Sequence, residues 1–413
     1  MDIAIRPHSL RGEIDAPLSK SYLHRLLIAS FISGRRVFVE CGELSKDIAA
    51  TVGALKAMGA EITSENGGIF IERKFIPSDE ITIDCNESGS TLRFLIPLAA
   101  ALGIKARFTG SGRLLERPVF PLTEVLNAHG SKAEGFSVSG KLECGDYRID
   151  GSLSSQFVTG LLFALAALGG KSTLEIVGKK VSEGYINITI EVLRLFGAEI
   201  IIDGRKITVS GRLNGKIERV KAEGDWSNSA FFLAAGAING DVTVNGLNPE
   251  SGQGDRKFLD ILKDFGAEIQ SRGNIIKVSK GRLKAIRADI DEIPDLAQII
   301  SVVAAFSEGV TVLDNVGRLR LKESDRVNAI IKMLETSGIK AECSDNKIFI
   351  YGGSPSGGIF DGGNDHRTVM SSAVLAACAQ GNSEIKGAQA CEKSYPDFFK
   401  QLIILGGKAD VVL

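Results

Sequence analysis

The densest chemistry in the chain lies in RLRLKESDR, where Arg318, Arg320, Lys322, Glu323, Asp325 and Arg326 fall within one short segment. A charged run of this kind is ordinarily a solvated helix face held by i,i+3 and i,i+4 pairs. Here it follows the β-branched stretch VTVLDN and precedes the amphipathic VNAIIKMLE, which puts it at the mouth of a structural unit. In PLSKSYLHR, Lys20, Ser21 and Arg25 open a long apolar run. Ser21 suits a cap, but cations at a helix start oppose the helix dipole, and a bound anion would resolve that conflict. ESGSTLR repeats the design: Gly89 admits close backbone approach, and Ser90 and Thr91 offer hydroxyls. GSGRLLERP then supplies Arg113 and Arg117, its GxG lacking the continuation of a dinucleotide loop. GSLSSQF gathers Ser154, Ser155 and Gln156, neutral groups suited to a phosphate or to sugar-like hydroxyls, and VSEGYINIT adds Ser182 and Tyr185. Asp295 in DEIPDLAQ, His366 and Arg367 in NDHRTVM, and Lys393 in CEKSYPDF complete the set.

Lys20, Arg25, Arg117, Lys322, Arg326, Arg367 and Lys393 in one cleft would repel one another unless the substrates carried several negative charges. A phosphorylated, carboxylated substrate, or two, fits that demand. Asp295 and Glu323, acids embedded in the same field, are placed for proton transfer. No metal centre is expected, because His8, His24, His129 and His366 are scattered and no paired carboxylates accompany them.

Six similar elements must present these groups. A leucine is followed four residues later by a glycine at Leu55/Gly59, Leu126/Gly130, Leu193/Gly197, Leu262/Gly266, Leu334/Gly338 and Leu402/Gly406, with successive glycines 71, 67, 69, 72 and 68 residues apart. That regularity marks an internal repeat. Each glycine is preceded by another that ends an apolar run: Gly34, Gly103, Gly169, Gly240, Gly309 and Gly381. Runs apolar nearly all round predict buried helices closed by left-handed glycine caps, and the polar starts of those helices are where free N–H groups suit anions. Alternating stretches such as TLEIVG, KITVSG and NKIFIYGG predict strands, giving a βαβαββ unit with sheets outside the buried helices. A solenoid would leave these helices too apolar for their wet face. With 413 residues and 44% hydrophobic content, two domains of three repeats are expected.

The balance of 49 basic and 50 acidic residues gives no footprint for nucleic acid or an anionic membrane. The apolar runs are too short to cross a bilayer, the start MDIAIRPHSL has no signal-peptide run, and the six cysteines show no CxxC. A cytoplasmic protein with buried thiols is expected.

PLSKSYLHR, ESGSTLR, RLLERP, SSQF, SEGYI, EGDWSNSAFFLAA, SGQGD, IPDLA, RLKESDR, NDHR and EKSYPDF also resemble, in order and over the whole chain, the 3-phosphoshikimate 1-carboxyvinyltransferase (EPSP synthase) family of enolpyruvyl transferases. The resemblance implies an α/β fold, a two-domain inside-out α/β barrel of six βαβαββ repeats, divided as residues 14–222 and residues 1–13 with 223–413. It implies closure over shikimate 3-phosphate and phosphoenolpyruvate, no cofactor and a monomer. By motif, Lys20, Ser21, Arg25, Ser154, Ser155, Gln156, Ser182, Tyr185, Asp295 and Lys322 resemble the shikimate 3-phosphate shell. Lys20, Gly89, Arg117, Gln156, Arg326, Arg367 and Lys393 resemble the phosphoenolpyruvate shell. Asp295, assisted by Lys322, is expected to accept the hydroxyl proton, and Glu323 to protonate C3.

Three positions depart from the family pattern: Glu87 where many members carry Asn, Arg318 where some carry Asn, and Phe94 after Arg93 where others have Pro. Glu87, Ser88 and Phe94 surround Gly89, against which the inhibitor glyphosate packs in the family. The sister family, UDP-N-acetylglucosamine enolpyruvyl transferase, carries a cysteine shortly before an Arg-Pro pair, and GSGRLLERP has none. A non-catalytic anion-binding clamp would need the cations without the acids Asp295 and Glu323.

Overall fold

A computed structural model of the chain describes residues 1–412. The residues form two compact units, one of Lys20–Ala222 and one of Met1–Ser19 with Glu223–Leu413. Each holds three four-stranded sheets, every one with a single parallel pair at one edge and antiparallel pairings elsewhere.

In the first unit the helices are α1 (Lys20–Ser33), α2 (Lys46–Ala57), α3 (Gly89–Leu102), α4 (Phe120–Asn127), α5 (Ser155–Leu168) and α6 (Glu183–Leu195). In the second they are α7 (Trp226–Asn239), α8 (Phe258–Phe265), α9 (Ala297–Ala305), α10 (Arg326–Thr336), α11 (His366–Cys378) and α12 (Phe398–Ile404). Odd-numbered helices are the apolar runs. In α7 every residue from Trp226 to Ile238 is buried, and in α11 every residue from His366 to Ala377. Even-numbered helices bury one stripe, as α8 does with Phe258, Ile261, Leu262 and Phe265, the spacing of a helix with one wet face. Helices α7, α9 and α11 pack together as the core of the second unit. Each fully buried Leu, Ile or Phe there contributes about 1.5–3 kcal/mol. In the first unit α3 meets α5 so closely that a Cβ on Gly160 would lie 2.2 Å from the Arg93 carbonyl oxygen.

Three sheets are completed from outside their own stretch of chain. Arg219–Lys221 pairs with Val37–Glu40, Arg11–Asp15 pairs with Asp241–Asn245, and Asp2–Arg6 inserts between Ser383–Lys386 and Lys408–Val412. Residues 14–19, assigned by sequence to the first domain, therefore lie in the second unit: Ile14 and Asp15 are laddered to Val244 and Asn245, and the Ser19 N–H donates to Glu223.

All six glycines of the Leu/Gly pairs have positive φ, from 78° at Gly338 to 101° at Gly59, where an L side chain is strained. Of the glycines ending the apolar runs, Gly240 departs from expectation. Its φ is −136°, and glycine is needed instead because a Cβ would sit 2.2 Å from the Leu10 carbonyl oxygen. The thiols differ too. Cys41, Cys85 and Cys391 are buried, Cys343 and Cys378 are partly covered, and Cys144 is exposed. Among the described residues no helix is long and apolar enough to cross a membrane.

Candidate active site

In the first unit the starts of α1, α3 and α5 carry no acid in their first turns. Ser88 caps α3 through the Thr91 N–H and Ser154 caps α5 through the Gln156 N–H, so neutral hydroxyls do the work of capping and the dipoles stay available to an anion. Ser21, expected at a cap, is the second residue of α1, and its carbonyl accepts from Arg25 Nη1 at 2.7 Å.

Arg25 is only 3% exposed. Its Nε donates to Thr189 at 2.8 Å and its Nη2 to the Tyr185 carbonyl at 2.9 Å, while the rings of Phe94 and Tyr185 lie 5.1 and 6.0 Å from the guanidinium. No carboxylate among the described residues pairs with it, and burial pushes its pKa down to about 10. A buried cation held by neutral acceptors alone lacks its counter-charge. Lys20, by contrast, pairs with Asp47 at 2.8 Å. Ser155 is buried beside Ser154, and Ser182, buried with φ of 52°, precedes α6.

Gln156 is fixed at both ends: Arg93 Nη1 donates to its Oε1 at 2.7 Å, and its Nε2 donates to Ser90 Oγ at 3.0 Å. Arg93, which the sequence reading did not single out, is therefore the group that orients this amide. Arg117, mostly buried, stacks on the start of α3, where a Cβ on Gly89 would lie 2.8 Å from its Nη1. Glycine is required there by the guanidinium, since the φ of Gly89 is not in the left-handed region. Phe94 is buried against His24 and under Arg25, so its departure from the family pattern sits in the core of the unit.

The second unit is organised around Arg326, whose side chain is 1% exposed. The charged segment before it is not a solvated helix face. Gly317–Leu321 forms a short 3-10 turn, and α10 begins only at Arg326, capped by Asp325. Arg326 Nη1 donates to Asp295 at 2.8 Å, Nη2 to Glu323 at 2.9 Å, and Nε to Asp365 at 2.9 Å. Lys322 Nζ reaches the same Asp295 oxygen at 3.2 Å, and Arg367 Nη2 lies 3.7 Å from the other. Three carboxylates thus surround this arginine, and the mutual repulsion expected of the cations does not arise here. The expectation overlooked Asp365, fully buried, which caps α11 through the Arg367 N–H and also accepts from Ser324. Burial alone would raise the Asp365 carboxyl, but Arg326 outweighs it and holds the pKa below the usual value. NDHR contained the signal, an acid two residues before Arg367.

Lys393 Nζ donates to the Asn364 carbonyl at 2.6 Å, and Arg367 Nη1 to the Ser227 carbonyl at 3.0 Å. Arg318 is turned to Asp291, pairing with its carboxylate at 2.9 Å and its carbonyl, which ties the turn after Val310–Asp314 to the segment leading into Asp295. No group of three His, Cys, Asp or Glu side chains able to hold a metal ion gathers among the described residues.

Two repeat-built α/β units, each presenting cations and hydroxyls at helix starts, define the fold of the enolpyruvyl transferases. Two solved EPSP synthase structures from Acinetobacter baumannii superpose with TM-scores of 0.83 and 0.82 at 24% and 23% identity, covering 99% and 100% of this chain and all of theirs. The chain belongs to the EPSP synthase (3-phosphoshikimate 1-carboxyvinyltransferase) family, whose model matches residues 5–402. It is 38% identical to the 3-phosphoshikimate 1-carboxyvinyltransferase of Clostridium kluyveri, over 99% of this chain and 98% of that protein. It is 37% identical to that of Pyrococcus abyssi, over 96% and 95%.

Proposed function

We propose that this chain transfers the enolpyruvyl group of phosphoenolpyruvate to the 5-hydroxyl of shikimate 3-phosphate, releasing phosphate. The observation that carries the reading is Asp295 held between Lys322 and Arg326 with Glu323 on the same guanidinium, an acid–base pair fixed by one buried cation. Asp295 accepts the 5-hydroxyl proton as that oxygen bonds to C2, Lys322 stabilises the developing charge, and Glu323 in its acid form protonates C3. The adduct then returns the C3 proton to Glu323 as the C2–O bond to phosphate breaks. In its acid form Glu323 loosens its hold on Arg326 Nη2, which turns to the phosphoenolpyruvate anion together with Arg367 and Lys393; in the first unit Lys20, Gln156 and Arg117 beside Gly89 are the groups suited to the same anion. Arg25, lacking a counter-charge, takes an anionic group of shikimate 3-phosphate with Lys20, Ser21, Ser154, Ser155, Gln156, Ser182 and Tyr185.

We take the monomer as the working unit; the absence of a disulfide among the described residues fits a reducing cytoplasm. The test is phosphate release from the two substrates. Release with shikimate 3-phosphate, and little with shikimate or UDP-N-acetylglucosamine, is expected, because buried donors left unpaired cost about 1–3 kcal/mol each. Comparable use of either substitute overturns the assignment.

Gly89→Ala tests the phosphoenolpyruvate side. The added methyl meets the Arg117 guanidinium at 2.8–3.1 Å, so Arg117 must move. The KM for phosphoenolpyruvate should rise about tenfold and that for shikimate 3-phosphate change little, read by steady-state kinetics in each substrate.

A further inference from the structure

Asp255 lies in the short 3-10 turn Gly254–Lys257, is 2% exposed, and has no part in the chemistry above. Its carboxylate accepts from Ser227 Oγ at the start of α7. The backbone carbonyl of that serine accepts from Arg367 Nη1 at 3.0 Å, the Phe231 ring lies 5.7 Å from the same guanidinium, and Arg367 Nη2 faces Asp295 at 3.7 Å. The helix start does not need this acid as a cap, because Asp225 already caps α7 through the Asn228 N–H at 2.8 Å. A second buried carboxylate beside Asp225 adds like-charge repulsion and a desolvation cost, so packing alone does not account for it.

We propose that Asp255 is a positioning residue for the transfer: it anchors Ser227, whose carbonyl holds Arg367 against Asp295. The proposal rests on the enolpyruvyl-transfer reading. It assigns Asp255 two effects. Held in place, Arg367 presents its guanidinium to phosphoenolpyruvate without having to be ordered on binding. The negative charge of Asp255 also makes Asp295 a better proton acceptor. The groups that act on Asp255 are Ser227, Asp295, Arg367 and Asp225, and burial followed by the Asp295 charge pushes it up to about 6. It is therefore ionised, and effective, above that pH. A carboxyl raised in this way stabilises the fold below its unfolded value near pH 4, and that contribution is lost as pH rises through 6. At pH 8 its ionised form is a burden on stability.

The test compares wild type, Asp255→Asn, Ser227→Ala and Ser227→Thr by phosphate release, with thermal midpoints measured at pH 8. Wild type is scored first. Without release in wild type both the reading and this inference fall, whereas an active wild type isolates the inference. Asp255→Asn removes the charge but keeps an acceptor for Ser227, so the expected results are both KM values within about twofold and an acid limb of kcat moved to lower pH. Its thermal midpoint should be unchanged or higher, where a purely structural acid would give a lower one. Ser227→Ala should raise the KM for phosphoenolpyruvate and Ser227→Thr, which keeps the hydroxyl, should restore it, so the serine pair decides the matter if Asp255→Asn does not fold. A phosphoenolpyruvate KM at the wild-type value in Ser227→Ala, or an unmoved acid limb of kcat in folded Asp255→Asn, overturns the proposal.

Discussion

Asp295→Asn should lower turnover by about two to four orders of magnitude, the usual contribution of a positioned acid or base, while shikimate 3-phosphate should still bind within about tenfold of wild type. The amide keeps the carboxylate's shape and can still accept from Lys322 and Arg326, which reach one oxygen of Asp295 at 3.2 and 2.8 Å. It cannot take the hydroxyl proton. Because Arg326 retains Glu323 and Asp365, the fold should tolerate the change, and a loss of rate then reports chemistry. Phosphate release and calorimetric titration of shikimate 3-phosphate make the comparison, and near-wild-type turnover would falsify the assignment. Glu323→Gln should lose rate by a similar factor and also suppress incorporation of solvent deuterium at C3 of phosphoenolpyruvate.

Arg326→Ala has a different signature, loss of both activity and stability. Its removal strands Asp365, which is fully buried, together with Glu323 and Asp295. Breaking a buried pair from one side costs about 3–5 kcal/mol, which lowers a thermal midpoint by roughly 10 °C in a unit of this size. Arg326→Lys should recover little, since a point charge cannot meet three carboxylates from three directions. The pH dependence has a definite sign. The Asp365 pKa is depressed, so its contribution is present above the unfolded value near pH 4 and lost as pH falls through the folded one. In Arg326→Ala that acid-side loss should shrink, because Asp365 no longer has the charge that depresses it. Thermal melts of both proteins from pH 3 to pH 8 read it, and a variant as stable as wild type at neutral pH would remove Arg326 from the centre of the cluster.

The repeat was legible in the chain because two local rules wrote it. A glycine is needed where φ turns positive, as at Gly59, Gly130, Gly197, Gly266, Gly338 and Gly406, and a helix buried on every side must be apolar on every side, as α7 and α11 are. Those signals survive without knowledge of neighbours. The candidate chemistry was legible for a related reason. Cations and hydroxyls at the start of an apolar helix are out of place unless something binds there, which singled out Lys20, Arg25 and Arg367, and the density of charge in RLRLKESDR singled out Lys322.

What depended on long-range contact was not legible. Arg219–Lys221 and Arg11–Asp15 each pair with a strand distant in sequence, and a strand's hydrophobic alternation says which face is buried but not which partner it meets. Asp365 and Asp255 read as ordinary acids in NDHR and SGQGD. Only packing buries them and aims one at Arg326 and the other at Ser227. Of the cations foretold as mutually repelling, Lys322, Arg326 and Arg367 in the second unit are matched by carboxylates from separate repeats, while Arg25 in the first is left without one. A residue's type is a local property, but its counter-charge is chosen by the fold. The sequence by itself put forward the groups proposed to bind anions and move protons, and the tertiary structure decided which of them meet a counter-charge within the protein and which, like Arg25, are held by neutral acceptors.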